Sequence, residues 1–170
     1  SVETYRGFVL QRGQGSIILA PTSLVRGEER VEVVLFDGRT AWARVPSLGA
    51  EEEPPLVALA WETGAAPAGV QALAWSVRPE LGPGRRAWTL EPPIGATPGT
   101  GRPVLVNTSL RSAAPSPLER YWQVGLRSSL GAPLLDARGA VLCVVFRRWL
   151  AEPDTTLCVT ESDATRSIGP

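Results

Sequence analysis

The 170-residue sequence contains no histidine, no lysine and no methionine, and it has only two cysteines. Without histidine there is no Ser-His or Cys-His nucleophile pair, and without lysine there is no Ser-Lys dyad, Schiff base or amine general base. Two cysteines without histidine complete a four-ligand zinc site only if carboxylates join them, and Cys143 and Cys158 lack a C-x-x-C spacing. The composition therefore argues against most hydrolytic mechanisms, and we expect no metal site and no cofactor.

Charge and hydrophobicity exclude two further classes of partner. All 17 basic residues are arginines and are balanced by 17 acidic residues. The longest basic clusters are the pairs Arg85-Arg86 and Arg147-Arg148, so the electrostatic footprint of a nucleic-acid binder is missing. No run approaches the roughly 18 apolar residues of a membrane span, and neither end reads as a targeting segment. We expect no nucleic-acid partner and no membrane span in this chain.

What the sequence does contain is a series of short apolar runs separated by turn residues. There are 17 glycines and 16 prolines, and the runs between them are rich in Val, Ile, Leu and Trp. This pattern is typical of an antiparallel β-sandwich or barrel. It predicts strands at Gly7–Gln11, Ser16–Ala20, Val31–Phe36, Thr40–Pro46, Leu56–Glu62, Ala72–Ser76, Arg86–Leu90, Arg102–Leu110, Tyr121–Gly125, Pro133–Leu135, Ala140–Phe146 and Thr156–Thr160.

The twelve predicted strands divide into two six-stranded antiparallel β-barrels, one in residues 1–80 and one in residues 81–170. The clearest local signal is the hairpin Val31–Val45, where Asp37-Gly38 predicts a two-residue type I′ turn that places Val33 opposite Trp42. Helix is expected only in Pro21–Arg30 and, after a Ser162 cap, in a short C-terminal segment ending at Ile168.

The two cysteines lie on neighbouring predicted strands. If Ala140–Phe146 and Thr156–Thr160 form a hairpin around Leu150–Ala151, Cys143 and Cys158 lie opposite each other. A cross-strand disulfide is then one interpretation. Two buried thiols that behave as small hydrophobic residues are the other, because disulfide geometry fits poorly across many directly paired positions.

Several strings resemble, in order along the chain, motifs of the trypsin-like serine peptidases, specifically of the bacterial HtrA branch. In that family a G-F-V-I strand, a turn and a second strand lead into T-N-A-H, and here G-F-V-L at Gly7–Leu10 is followed by Ile17–Ser23. The family's next hairpin has a D-G turn and leads into D-L-A-L-L, and here Asp37-Gly38 leads into Pro55–Leu59.

The second half continues the resemblance. Gly84–Pro92 is similar to the family's G-x-x-V-x-A-I-G-x-P strand, and Tyr121–Gln123 to its Y-I-Q-T-D strand. Ser128–Leu134, which reads S-S-L-G-A-P-L, resembles G-N-S-G-G-P-L and is followed by a D-x-x-G turn and an apolar strand. The resemblance covers nearly the whole chain and implies the trypsin-like double barrel. It also favours an extracytoplasmic, periplasmic compartment.

Carried over residue by residue, the resemblance implies a degenerate catalytic triad. Ser23 stands at the position of the histidine base, Pro55 at that of the orienting aspartate and Leu130 at that of the nucleophile. Ser128 replaces the glycine whose amide forms half of the oxyanion hole, and neither it nor Ser129 has a histidine or lysine to act as its base. We therefore expect the chain not to be an enzyme but a pseudopeptidase.

Three hypotheses for function follow. The first is a non-catalytic module that binds a protein or peptide, or acts as a scaffold, within a larger assembly. In the family that this chain resembles, the strand after the nucleophile loop pairs with extended substrate, so the implied binding stretch comprises Val144, Val145, Phe146, Arg147, Arg148 and Trp149. Trp149 is expected at a loop, and neither it nor Arg148 is expected in the core. The second is a structural spacer whose cleft is closed by Leu130. The third is a hydrolase with unrecognised carboxylate or metal chemistry.

Overall fold

The structure is a computed structural model that describes residues 5–49, 53–77, 80–91, 97, 103–113, 121–124, 130–150, 152 and 154–168. Within these residues the regular secondary structure is almost entirely β. The first half of the chain contains β1 Phe8–Arg12, β2 Gly15–Pro21, α1 Thr22–Val25, β3 Arg30–Val34, β4 Thr40–Arg44 and β5 Leu56–Trp61. The second half contains β6 Arg86–Glu91, β7 Val104–Ala113, β8 Trp122–Val124, β9 Pro133–Leu135, β10 Val141–Arg148, β11 Thr156–Thr160 and α2 Glu161–Ile168.

The second half forms a closed antiparallel barrel with the strand order β10-β11-β8-β7-β6-β9. The prediction of an all-β fold with a six-stranded barrel is confirmed here. Both helices are short and lie within or next to the stretches where the sequence predicts helix. Neither is long and apolar enough to cross a membrane, and the same holds for every helix in the described ranges.

The first half forms a five-stranded sheet with the order β1-β2-β5-β4-β3, so a six-stranded barrel is not confirmed there. The predicted strand Ala72–Ser76 is replaced by two isolated bridges. The Leu73 amide and carbonyl bond to the first sheet, at Val9 and Gln11, whereas the Ser76 amide donates to the carbonyl of Val141 in the barrel. Because the backbone hydrogen bonds of this segment are divided between two sheets, it does not form a continuous strand in either sheet. The division of the chain at residue 80 remains a prediction.

The β3–β4 hairpin forms where predicted, but with a different turn and register. Gly38 has φ +86°, whereas the positive-φ residues in the described part of the chain are all glycines, so Asp37 does not have the conformation of a type I′ turn. The amide of Leu35 donates to the carbonyl of Arg39 at 2.8 Å, which closes a three-residue loop. This loop pairs Trp42 with Glu32 rather than with Val33. Trp42 is therefore on the exposed face.

Three hydrophobic clusters account for the packing. One lies within the first sheet and contains Trp61 and Val57, and a second fills the barrel around Leu134 and Val145. The third joins the two halves. It combines side chains of β1, β2 and β5 with side chains of the second half, including one from α2: Phe8, Leu10, Leu19, Leu56, Tyr121, Leu135, Val141, Val144, Phe146, Leu157, Val159 and Ala164.

The structure joins Cys143 and Cys158 in a disulfide, with a Cα–Cα distance of 5.6 Å. The sequence predicted that the two cysteines lie directly opposite each other. In the structure they are offset, because Cys158 pairs with Val145 and Cys143 with Thr160. The bond therefore runs diagonally between β10 and β11. Both cysteines are fully buried in the barrel cluster, so the disulfide links two of the strands that enclose this core.

Asp136 connects the turn before β10 to the segment that leads out of the first sheet. Its carboxylate accepts hydrogen bonds from the amides of Arg138 and Ala140 at 2.8 and 3.0 Å, and from the hydroxyl of Ser76 at 3.0 Å. Partial burial works in the opposite direction, but these bonds, together with the charge of Arg85, hold the pKa of Asp136 below its ordinary value. The carboxylate is thus bound in its charged form.

We predict that replacing both cysteines by alanine lowers the free energy of unfolding by about 3 kcal/mol, because the bond closes a loop of about 15 residues in the unfolded chain. Urea unfolding of the oxidised protein and of the double variant measures this. A difference below about 1 kcal/mol would show that the disulfide adds little to the barrel.

We predict that Asp136→Ala lowers the free energy of unfolding by about 1 to 2 kcal/mol near neutral pH, because three hydrogen bonds to a charged acceptor are lost. Since the folded-state pKa is depressed, this contribution is present above the unfolded-state pKa and disappears as the pH falls through the folded-state pKa. The matched control is Asp37→Ala, because the exposed Asp37 bonds to Arg39 in its own turn and connects no second sheet. Thermal unfolding scanned against pH tests this, and an equal effect of both substitutions at all pH values would contradict it.

Candidate functional site

The positions of the expected triad lie at the junction of the two halves. Ser23 is exposed in the first turn of α1, and Pro55 is half-buried just before β5. The amide of Thr22 donates to the carbonyl of Pro55 at 3.2 Å, which joins the start of α1 to the start of β5. The structure thus brings the positions of Ser23 and Pro55 together.

The position of Leu130 comes to the same junction through Gly131. A Cβ atom built on Gly131 would overlap the backbone carbonyl of Arg6 and would lie 3.3 Å from Cδ of Pro21, at the end of β2. The Gly131 amide donates to the carbonyl of Val145 at 2.7 Å, which ties the loop to β10. Residues 21–23, 55 and 130–131 therefore meet at one place.

The side chain of Leu130 packs against the barrel cluster. The expectation that Leu130 closes the cleft stays a prediction. The hydroxyl of Thr22, next to Ser23, is buried without a hydrogen-bond partner. Ser128 and Ser129 lie outside the described residues. In the ranges that the structure covers there is no group of three or more carboxylates, thiols or imidazoles that could hold a metal ion.

The segment before β1 crosses the second half of the molecule next to this junction. The Arg6 guanidinium donates to the carbonyl of Leu90 at 3.1 Å and forms an ion pair with Glu91 at 2.6 Å. Its carbonyl oxygen lies against Gly131. One residue thus contacts β6 with its side chain and the loop before β9 with its backbone. Sequence reasoning missed this contact, because a lone arginine gives no signal of a partner more than 80 positions away.

The predicted binding stretch, residues 144–149, lies on β10 and the residue after it. One side of β10 pairs with β11 from Cys143 to Arg148. The other side pairs with β9 only up to Val144, and the amide of Val145 then donates to the carbonyl of Ala132 at 3.0 Å. Beyond Val145, no described segment pairs with this side of the strand. Among the described residues, Phe146–Arg148 therefore has no strand partner on this side, and we call this stretch the free edge.

A β-bulge marks the start of this free edge. The β10–β11 register shifts between Val145 and Arg147, so Phe146 is the extra residue. A bulge increases the local twist and changes the direction in which the following side chains point. The sequence pattern of six apolar residues before two arginines gave no indication of the bulge.

The side chains along the stretch differ in exposure. Val144 and Val145 are fully buried, and Phe146 packs on Tyr121 with ring centroids 4.7 Å apart. Arg147 and Arg148 are exposed. Trp149 lies in the loop, as predicted, but it is half-buried and packs against the cluster between the two halves. The expectation that its side chain is free of the core is therefore wrong.

Comparison with solved structures shows the fold. The chain superposes on the Rv3671c protease in its inactive form with a TM-score of 0.69 and 22% identity, covering 96% of this chain and 83% of that one. It superposes on an inactive form of Rv3671c from M. tuberculosis H37Rv carrying a serine-to-alanine mutation with a TM-score of 0.68 and 22% identity, over 94% and 77% of the two chains.

A third structure is the HtrA-type protease AlgW with a decapeptide. It matches with a TM-score of 0.68 and 15% identity, over 93% of this chain but only 48% of the AlgW chain. No protein-family model and no curated protein matches the sequence. The chain therefore has the fold of trypsin-like, HtrA-type protease domains.

The comparisons correct the prediction that the chain is not an enzyme. The similar structures are named as proteases, and one of the two forms labelled inactive carries a substitution of a serine. The description of these structures as inactive therefore does not show that a domain with this fold has lost its activity naturally. The identities of Ser23, Pro55 and Leu130 alone are not sufficient to exclude an enzymatic activity of this chain.

We predict that Gly131→Ala lowers the free energy of unfolding by about 2 kcal/mol more than Gly139→Ala does. Both glycines have positive φ, +89° and +81°, so both substitutions introduce the same backbone strain. Only Gly131 has neighbours that a methyl group would overlap, whereas Gly139 has nothing within 4 Å.

Thermal and urea unfolding of the two variants measure the difference. Equal destabilisation would contradict the close approach of Arg6 to Gly131, and with it the meeting of the triad positions at one junction.

Proposed function

We propose that this domain binds an extended segment of a protein or peptide by strand addition to β10 and serves as a binding or scaffolding module in a larger assembly. The observation that supports the proposal is that Phe146–Arg148 has no strand partner on one side among the described residues. In an antiparallel pair, alternate residues direct their N–H and C=O groups away from the partner strand. This edge therefore presents backbone donors and acceptors that an extended peptide can pair with.

The surroundings of the edge support peptide binding. Phe146 and Trp149 are held in place by the cluster between the two halves, so the backbone between them is anchored at both ends. The Trp149 amide donates to the carbonyl of Thr155 at 2.9 Å, which fixes the loop on the β11 side. A strand that is rigid before binding loses less conformational entropy on binding than a mobile one.

Two further observations fit the proposal. AlgW, which this chain matches over 48% of the AlgW chain, was solved with a decapeptide. The disulfide fits an extracytoplasmic location, because disulfides persist in oxidising compartments.

The alternative is a structural spacer with a closed cleft. The packing of Leu130 on the barrel cluster and the contact of Arg6 with Gly131 favour it, because both fill the junction where the triad positions meet. Neither of these two contacts uses the backbone of Phe146–Arg148. The two functions are therefore distinguished by binding at the β10 edge and not by the state of the junction.

A panel of fluorescein-labelled ten-residue peptides, measured by fluorescence anisotropy, tests the proposal. We predict that a peptide that binds loses about tenfold or more in affinity when alternate backbone amides are N-methylated on the face that pairs with β10. Methylation of the intervening amides is the matched control and leaves the affinity within about twofold. The same loss from both sets of methyl groups, or no binding by any peptide, would favour the spacer.

A further inference from the structure

Two adjacent arginines lie on the free edge of β10. Arg147 and Arg148 are both exposed, and neither forms an ion pair with any residue in the described ranges. Five other described arginines form ion pairs, among them Arg30 with Glu62 at 3.1 Å and Arg39 with Asp37 at 2.8 Å. Two positive charges without an ion pair in the described ranges therefore lie side by side at the proposed binding edge, in a chain whose formal net charge is zero.

The carboxylates of the neighbouring loop are engaged elsewhere. Glu152 pairs with Arg111 at 3.6 Å and accepts a hydrogen bond from the hydroxyl of Thr155 at 3.0 Å. Asp154 has an interaction of its own. The loop after β10 therefore does not supply the counter-charge for Arg147 and Arg148.

We infer that the segment bound at this edge is acidic, with Asp or Glu side chains placed next to Arg147 and Arg148. The inference rests on the proposed function and specifies the partner at that same site. Arginine suits this role because its planar guanidinium presents several N–H donors that match both oxygens of a carboxylate. The backbone of β10 would supply the pairing, and the two guanidinium groups would select among extended segments by charge.

The burial of the rest of the stretch directs recognition to these two side chains. Val144 and Val145 are fully buried and Phe146 nearly so, and none of the three can contact a ligand through more than its backbone. Leu150 is 87% exposed and adds an apolar surface just after the arginines. An acidic segment that also carries an apolar residue therefore fits the edge better than a basic or a purely polar one.

The test uses three labelled peptides with one backbone: one with Glu and Asp, one with Gln and Asn at the same positions, and one with Lys. We expect the acidic peptide to bind about three- to tenfold more tightly than the amide peptide at about 50 mM sodium chloride, and the basic peptide to bind least. The advantage shrinks at about 300 mM salt, because the Debye length shortens.

The protein variant R147Q/R148Q removes the advantage of the acidic peptide and leaves the affinity for the amide peptide within about twofold. The matched control R44Q/R86Q removes the same charge from exposed positions on β4 and at the start of β6. It retains the advantage.

The possible results separate this inference from the proposed function. If the acidic and amide peptides bind equally well, or if R147Q/R148Q keeps the preference, the inference is wrong while strand addition stands. If none of the three peptides binds and none of the wider panel does, the proposed function fails and the inference falls with it.

Discussion

Strand β10 is buried on both faces, and the arrangement of the other elements depends on it. Leu142, Cys143 and Val145 face the barrel cluster, whereas Val141, Val144 and Phe146 belong to the cluster between the halves. A run of six buried apolar residues in a strand is typical of a sheet that is covered on both sides. Because β10 contributes side chains to both cores, it fixes the position of the barrel relative to the first sheet. The triad positions meet at the junction of the two.

Much of the fold could be predicted from the sequence, because the apolar runs and turn residues mark the strands directly. The details that failed are those that depend on partners distant in sequence. Ala72–Ser76 has the composition of a strand, but its bonds are shared between two sheets. The β3–β4 loop has one residue more than the predicted turn. This difference shifts the register of the hairpin and moves Trp42 from the inner face of the sheet to the outer face.

Part of the candidate site was also predictable from local sequence signals. The order of motifs located residues 23, 55 and 130, and the structure brings these positions together. Sequence could not show that Arg6 lies against Gly131, that Trp149 packs on the core or that a bulge begins the free edge, since each is decided by tertiary contacts. It also misled on activity, where three substituted positions were taken as evidence against an enzyme although the solved structures with this fold are named as proteases.

The central claim is that β10 ends in a free edge that accepts a strand, and amide hydrogen exchange across β10 tests it most directly. The account predicts strong protection from Val141 to Val145, faster exchange for at least one amide within Phe146–Arg148, and protection of that amide when a peptide is bound. Uniform protection along the whole strand in the unliganded protein would contradict the account, because it would mean that the edge is already paired.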